Sequence, residues 1–308
     1  MKNILYAVSL AIVMVSMVFV AACTHKSQNG IEEDTPTATA HANTPIVTPA
    51  TTPLTASMII DHRCTDISEI PQEWILKAKS DLHIAYGHTS HGSQITDGMT
   101  GLVDFAGELY EWNEGGTGGA LELKDGELGE ASDLGSPDFT AWESTTREYL
   151  DSHPSTNVVM WSWCGQVSDA TPDNIETYIS LMSGLESDYP DVRFVYMTGH
   201  TDGTGLSDNL HIRNQQIRDY CTTHNKILYD FEDIESYDPD GSYFGDKYVT
   251  DSCDYDGGNW AIEWQDSHEE GVEWYDCSSA HSQPLNANLK AYAAWWLWAR
   301  LAGWDSNS

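Results

Sequence analysis

Short apolar runs alternate with longer amphipathic stretches along most of this chain, and that alternation predicts an architecture before any single residue is considered. Residues 82–86 (LHIAY), 157–163 (NVVMWSW), 192–197 (VRFVYM) and 227–230 have the length and apolar continuity of buried strands. Around them, residues 67–80, 94–112, 139–150, 174–187 and 210–224 read as helices; Ile95, Met99, Leu102 and Val103, for instance, share one helical face. Residues 286–304, rich in Ala and Trp and opened by Pro284, predict a closing helix. Strands alternating with helices predict an α/β fold, a three-layer and mostly parallel sheet with helices on both faces. Such a sheet gathers the loops that follow its strands on one edge. Here those loops read GHTSHG, WCGQ and TGHTDG, whereas the glycine-rich, acidic residues 115–137 predict a plain loop.

The pattern fails at both ends of this region. Residues 1–22 place Lys2 before an apolar run and end in Val20-Ala21-Ala22 before Cys23, which resembles a bacterial-type lipoprotein signal. The resemblance implies export, cleavage before Cys23 and lipid anchoring through its thiol. Residues 23–56 are mostly Thr, Pro, Ala and Asn and cannot bury enough apolar surface to offset the entropy of ordering, so they predict a disordered tether. The folded domain is then 57–308. Within it, residues 231–276 form an acidic insertion with a single lysine and with Trp260, Trp264, Trp274 and Tyr275, which either cover the core or offer flat surfaces to sugar rings.

Charge narrows the partners. With 14 Lys plus Arg against 48 Asp plus Glu, the net charge of −34 repels nucleic acid and anionic membrane surfaces. Six cysteines without a CxxC pair argue against a cysteine-built zinc site, and Cys253 with Cys277 is the first candidate for a disulfide in an exported chain. Asp238, Asp240 and Asp246 are oxygen ligands of the kind calcium takes, although the nearby glycine is out of place for an EF-hand; no other cofactor is expected.

The chemistry concentrates in GHTSHGS. A serine on the turn between a central strand and the next helix projects into the crevice at the sheet edge, where helix amides can hold a developing oxyanion. Ser90 is the first candidate nucleophile and Ser93 the second. At the far end, His281 stands in the loop directly before the last helix. That order resembles the SGNH, or GDSL-like, hydrolases, in a divergent branch opening on Gly-His-x-Ser, over about residues 82–301. The resemblance implies a flavodoxin-like sheet, Ser90 as nucleophile and His281 as base. Gly135 and Gln166 would stand for the family's oxyanion-hole Gly and Asn, with His88 beside the nucleophile turn. The family's Asp-x-x-His reads Ser278-Ser279-Ala280-His281 here, so the acid is missing and Asp276 is the nearest substitute.

The favoured expectation is an exported, lipid-anchored serine esterase acting on an ester-bearing small molecule or a polysaccharide. Two rivals stand beside it. His88, His91, His200 and Asp202 are of ligand type and would suit a metal-dependent hydrolase. A fold that lost its acid would suit a surface glycan binder without turnover. Cys164 in WCGQ is a further nucleophile candidate, with no histidine tied to it in sequence.

Overall fold

The computed structural model describes residues 56–306; the signal segment, Cys23 and the tether to residue 55 lie outside them. The core is a seven-stranded, fully parallel sheet formed by β1 (Met58–Ile60), β2 (His83–Gly87), β3 (Trp112–Asn113), β4 (Leu121–Asp125), β5 (Val158–Trp161), β6 (Arg193–Met197) and β7 (Ile227–Tyr229). Its order is β1-β7-β6-β5-β2-β4-β3. From β2 the chain runs outward to β4 and then returns to β5 on the other side, so the order reverses between β2 and β5. That reversal is where open α/β sheets leave a crevice.

Both faces are covered, giving the three-layer, flavodoxin-like arrangement. Helices α1 (Gln72–Asp81), α2 (Ser90–Ala106) and α8 (Pro284–Leu301) cover one face, where Ile75, Ile95, Met99, Leu289 and Trp295 join Ile84, Tyr86, Met160 and Met197. Helices α3 (Ala141–Ser152), α4 (Pro172–Asp188) and α5 (Asn209–Thr223) cover the other, where Trp142, Ile175, Tyr178 and Ile217 join Ala85, Val159, Trp161 and Phe194. Successive strand residues feed opposite layers, which is why the central strands read as unbroken apolar runs. Helix α8 is buried on nearly every side, and α2 crosses it closely: a Cβ on Gly98 would lie 2.1 Å from the carbonyl oxygen of Ala287. Any larger residue at position 98 would push these two helices apart, and with them the loops at their ends.

Several elements differ from the sequence expectation. The expected loop 115–137 contains β4, whose half-buried, alternating LELKD lacks the apolar continuity of its neighbours. The helix expected to reach residue 112 stops at Ala106, where Gly107 adopts φ 94° and turns the chain. The acidic insertion contains α6 (Phe231–Glu235), a hairpin of β8 (Asp254–Tyr255) and β9 (Gly258–Asn259), and α7 (Trp260–Ser267). Its tryptophans and Tyr275 cover the core: Trp260, Trp274 and Tyr275 are buried, and Trp264 packs against that core and stacks on His268. Cys253 and Cys277 are not bridged, and all five cysteines among the described residues are free thiols. Among the described residues no helix is long and apolar enough to cross a membrane.

Candidate active site

The loops after β2, β5 and β6 meet on the carboxyl rim of the sheet. Gly87 of β2 pairs with Trp161 of β5, and Ser90 and Cys164 each lie three residues past that pair. Matched strand ends thus deliver a hydroxyl and a thiol to the same spot, with Ser90 Oγ 3.9 Å from Cys164 Sγ. Thr89, the residue before α2, gives its hydroxyl to Asp133 at 3.0 Å instead of capping the helix. The first amides of α2 therefore have no side-chain cap and, like those of any helix, point out of its N-terminal end, where Ser90 is the first residue.

His281 reaches this spot from the other end of the chain. Its Nε2 is 3.0 Å from Ser90 Oγ, a hydrogen bond across 191 positions. The backbone at His281 takes φ 64°, a left-handed conformation that costs a non-glycine residue on the order of 1 kcal/mol or more. Two restraints hold it there: the Ser282 amide closes a turn onto the Ser279 carbonyl at 3.0 Å, and the Gln94 amide donates to the Ala280 carbonyl. Among the described residues, Ser90 is the sole hydrogen-bond partner of the His281 ring.

The expected orienting acid lies elsewhere. Asp276 is exposed and makes no hydrogen bond to His281. Asn288 of α8 grips Tyr275 through both its amide and its carbonyl, at 3.0 Å each, which drives the Tyr275 ring into the core. The next residue of this extended segment consequently faces water.

The proposed oxyanion donors are also engaged otherwise. The Gly135 amide and Gln166 Nε2 both donate to Asp133 Oδ1, at 2.8 and 3.0 Å, while Gln166 Oε1 accepts the Cys164 amide at 2.9 Å. These contacts brace the Cys164 turn against the Asp133 loop. His88 is buried with Nε2 2.7 Å from Asp125 and Nδ1 2.9 Å from the Thr89 carbonyl, so it ties the Ser90 turn to β4. Ser93 turns back along α2 to the Ser90 carbonyl and Asp97, at 2.9 and 3.0 Å.

A second chain of contacts, illegible in the sequence, passes through the residue after Ser90. His91 Nδ1 lies 3.2 Å from Cys164 Sγ, and His91 Nε2 lies 3.0 Å from Asp251 Oδ2. Asp251 comes from the acidic insertion, where a turn closed by the Cys253 amide onto the Thr250 carbonyl presents it. His91 also stacks between His200, at 3.8 Å, and His281, at 4.5 Å between ring centroids. Burial opposes charge on the His91 ring, but the bonds to Asp251 and Cys164 outweigh it and raise its pKa to about 9. The His91 hydrogen bond lowers Cys164 to about 7 despite partial burial. Burial pushes His200 the other way, toward the neutral ring.

A reactivity prediction follows. A thiol whose pKa is lowered gains its thiolate earlier as pH rises, so alkylation of Cys164 by iodoacetamide is expected to climb through pH ~7 instead of ~9. Burial raises Cys64 to about 11 and Cys253 and Cys277 to about 12, so these should lag. Peptide mapping of partially alkylated protein checks this, and uniform labelling of all the cysteines would contradict it. His91→Ala should return the Cys164 midpoint toward its ordinary value.

His91, His200 and Asp251 bring potential ligand atoms within 4.8 Å of one another, while His88 and Asp202 stand apart from this group. Asp202 instead accepts from Ser168 at 2.6 Å and from Thr204. The His91 and His200 rings are parallel within 4° and 3.8 Å apart. No ion can lie in both ring planes at once, so this arrangement does not suit a shared metal as it stands. The three aspartates considered for calcium are not gathered into a cluster; Asp238 Oδ1 accepts the Ser242 amide of its own turn at 2.7 Å.

No protein-family model and no curated protein sequence matches this chain.

Proposed function

We propose that the folded domain is an acyl-ester hydrolase with Ser90 as nucleophile and His281 as base, akin to the SGNH hydrolases that its sequence resembles. The observation that carries this reading is the 3.0 Å bond between Ser90 Oγ and His281 Nε2 at the strand-order reversal. In the reaction, His281 Nε2 takes the Ser90 proton as Oγ attacks the ester carbonyl. The uncapped amides of α2 hold the resulting oxyanion. His281 then gives its proton to the departing alcohol, leaving an acyl group on Oγ, and repeats the cycle with water to release the acid.

With no carboxylate on His281, this is a dyad, and slow turnover is the physical consequence. The left-handed backbone at His281 supports a functional demand on that residue, since it is kept where the ring, stacked on His91, reaches Ser90. A polysaccharide substrate keeps export as its support but loses the tryptophans of the insertion, which cover the core; the acyl ester is the substrate class proposed. Export and a lipid on Cys23 belong to the same reading and rest on the sequence of residues 1–23 alone.

The test is labelling with a serine-directed fluorophosphonate followed by peptide mapping. Modification at Ser90, abolished in His281→Ala, is the expected result. An unlabelled Ser90 in protein that hydrolyses activated esters would end the proposal, and glycan binding without any turnover would favour a non-catalytic surface protein.

A further inference from the structure

Cys164 from the loop after β5, His91 from the first turn of α2 and Asp251 from the acidic insertion line up as thiol, imidazole and carboxylate, with spacings of 3.2 and 3.0 Å. The Ser90–His281 pair uses none of them. Yet Ser90 Oγ is only 3.9 Å from the same sulfur, so rotation about the Cβ–Sγ bond can bring a carbonyl carbon bonded to Sγ within the ~3–3.5 Å near-attack distance of that hydroxyl.

A separate feature points to a ligand here. His200 is only 8% exposed, and its Nδ1 faces the Thr201 carbonyl at 2.7 Å, yet its buried Nε2 has no partner. That nitrogen faces the Cys164 turn, where a Cβ on Gly165 would stand 3.9 Å away. With its proton on Nδ1, a neutral His200 leaves an acceptor at Nε2 that a hydroxyl or amide donor of a bound molecule would fill.

We propose that Cys164 is a second nucleophile of this site, oriented by His91 and Asp251, which takes the acyl group from a thioester or activated ester and passes it to Ser90. This rests on the reading of Ser90 as a nucleophile. In the first step the thiolate attacks the acyl carbonyl, a carbon–sulfur bond forms and the bond to the leaving group breaks. The leaving thiolate or alkoxide departs with a proton from the His91 imidazolium or from solvent. In the second step Ser90 Oγ attacks the thioester as His281 takes its proton, the carbon–sulfur bond breaks, and the proton passes from His281 through solvent to His91, which restores the thiolate–imidazolium pair and frees His281 to activate water. Transfer from sulfur to oxygen runs downhill, because a thioester carbonyl is less stabilised by resonance than an ester carbonyl. His91 and Asp251 act through the sulfur, and Asp251 is a positioning residue.

The experiment uses Ser90→Ala protein, p-nitrophenyl acetate, and mass mapping with and without neutral hydroxylamine, which cleaves thioesters much faster than oxygen esters. The expected result is one release of nitrophenolate without turnover and a hydroxylamine-labile acetyl on the Cys164 peptide. That acetyl should be absent from Ser90→Ala/Cys164→Ala. Adding Asp251→Asn to Ser90→Ala should slow acetylation on the order of tenfold or more, while thermal melting reports whether each variant is folded. If Ser90→Ala takes no acetyl while the parent enzyme turns over, the Cys164 step is overturned and the Ser90 reading stands. If Ser90→Ala turns over as fast as the parent, the Ser90 reading itself fails, and the relay with it.

Discussion

Replacing Ser90 or His281 by alanine is expected to lower turnover of an activated acetate ester by roughly three orders of magnitude or more, with KM little changed. In the proposed reaction each residue contributes mainly as charge moves: the hydroxyl would supply the attacking oxygen, and the imidazole would remove its proton. The two act as a unit, so the double variant should be hardly worse than either single one. Stability separates this from an unfolding effect. Ser90 is half-buried and His281 exposed, and among the described residues the Ser90 hydroxyl hydrogen-bonds only His281 and the Cys164 sulfur. Neither truncation opens a core cavity, so changes in unfolding free energy should stay within about 0.5 kcal/mol. Burst and steady-state kinetics on folded variants measure this directly; a Ser90→Ala enzyme with parental turnover would refute it.

The parts of this site that were legible in the sequence are those set by local pattern. The apolar runs of β2, β5, β6 and β7 announce a buried parallel sheet, and with it the shared rim that carries Ser90 and Cys164. What escaped needed distance. Asp251 is one acid in an insertion full of acids, and nothing in its neighbours marks it; only the fold of that insertion against α2 brings it to His91. Asp276 looked the better acid because it is near His281 in sequence, but the burial of Tyr275 turns it to solvent. The Ser90–Cys164 approach was open to inference: once β2 and β5 are neighbours, residues equally far past their paired ends meet. The tryptophans of the insertion show the limit of composition, since the same residues serve a sugar or a core and only packing decides.

Beneath the rim lies a buried ion pair whose disruption should produce the largest stability effect in the domain. Lys290 of α8 and Glu235 of α6 are both fully buried and paired, and Lys290 also donates to Gln94 of α2. The other oxygen of Glu235 accepts the Thr201 amide and hydroxyl, at 2.8 and 3.1 Å. This links both histidine loops. Gln94 holds Ala280 beside His281, and Thr201 receives Nδ1 of His200 on its carbonyl. Burial pushes the Lys290 amine below its ordinary value while Glu235 pulls it back, so holding this charge in the core is costly. Lys290→Met would leave Glu235 buried without its cation and is expected to cost about 3–5 kcal/mol, or on the order of 10 °C in Tm. Lys290→Met/Glu235→Gln removes both charges and keeps an acceptor for Thr201, so it should recover most of that loss. Recovered stability need not restore the site, because Gln94 has still lost the ammonium that fixes its amide toward Ala280. Urea unfolding together with ester turnover tests both halves: the double variant should melt near the parent yet hydrolyse more slowly. Equal stability of Lys290→Met and the parent would refute the claim that this pair braces the two loops.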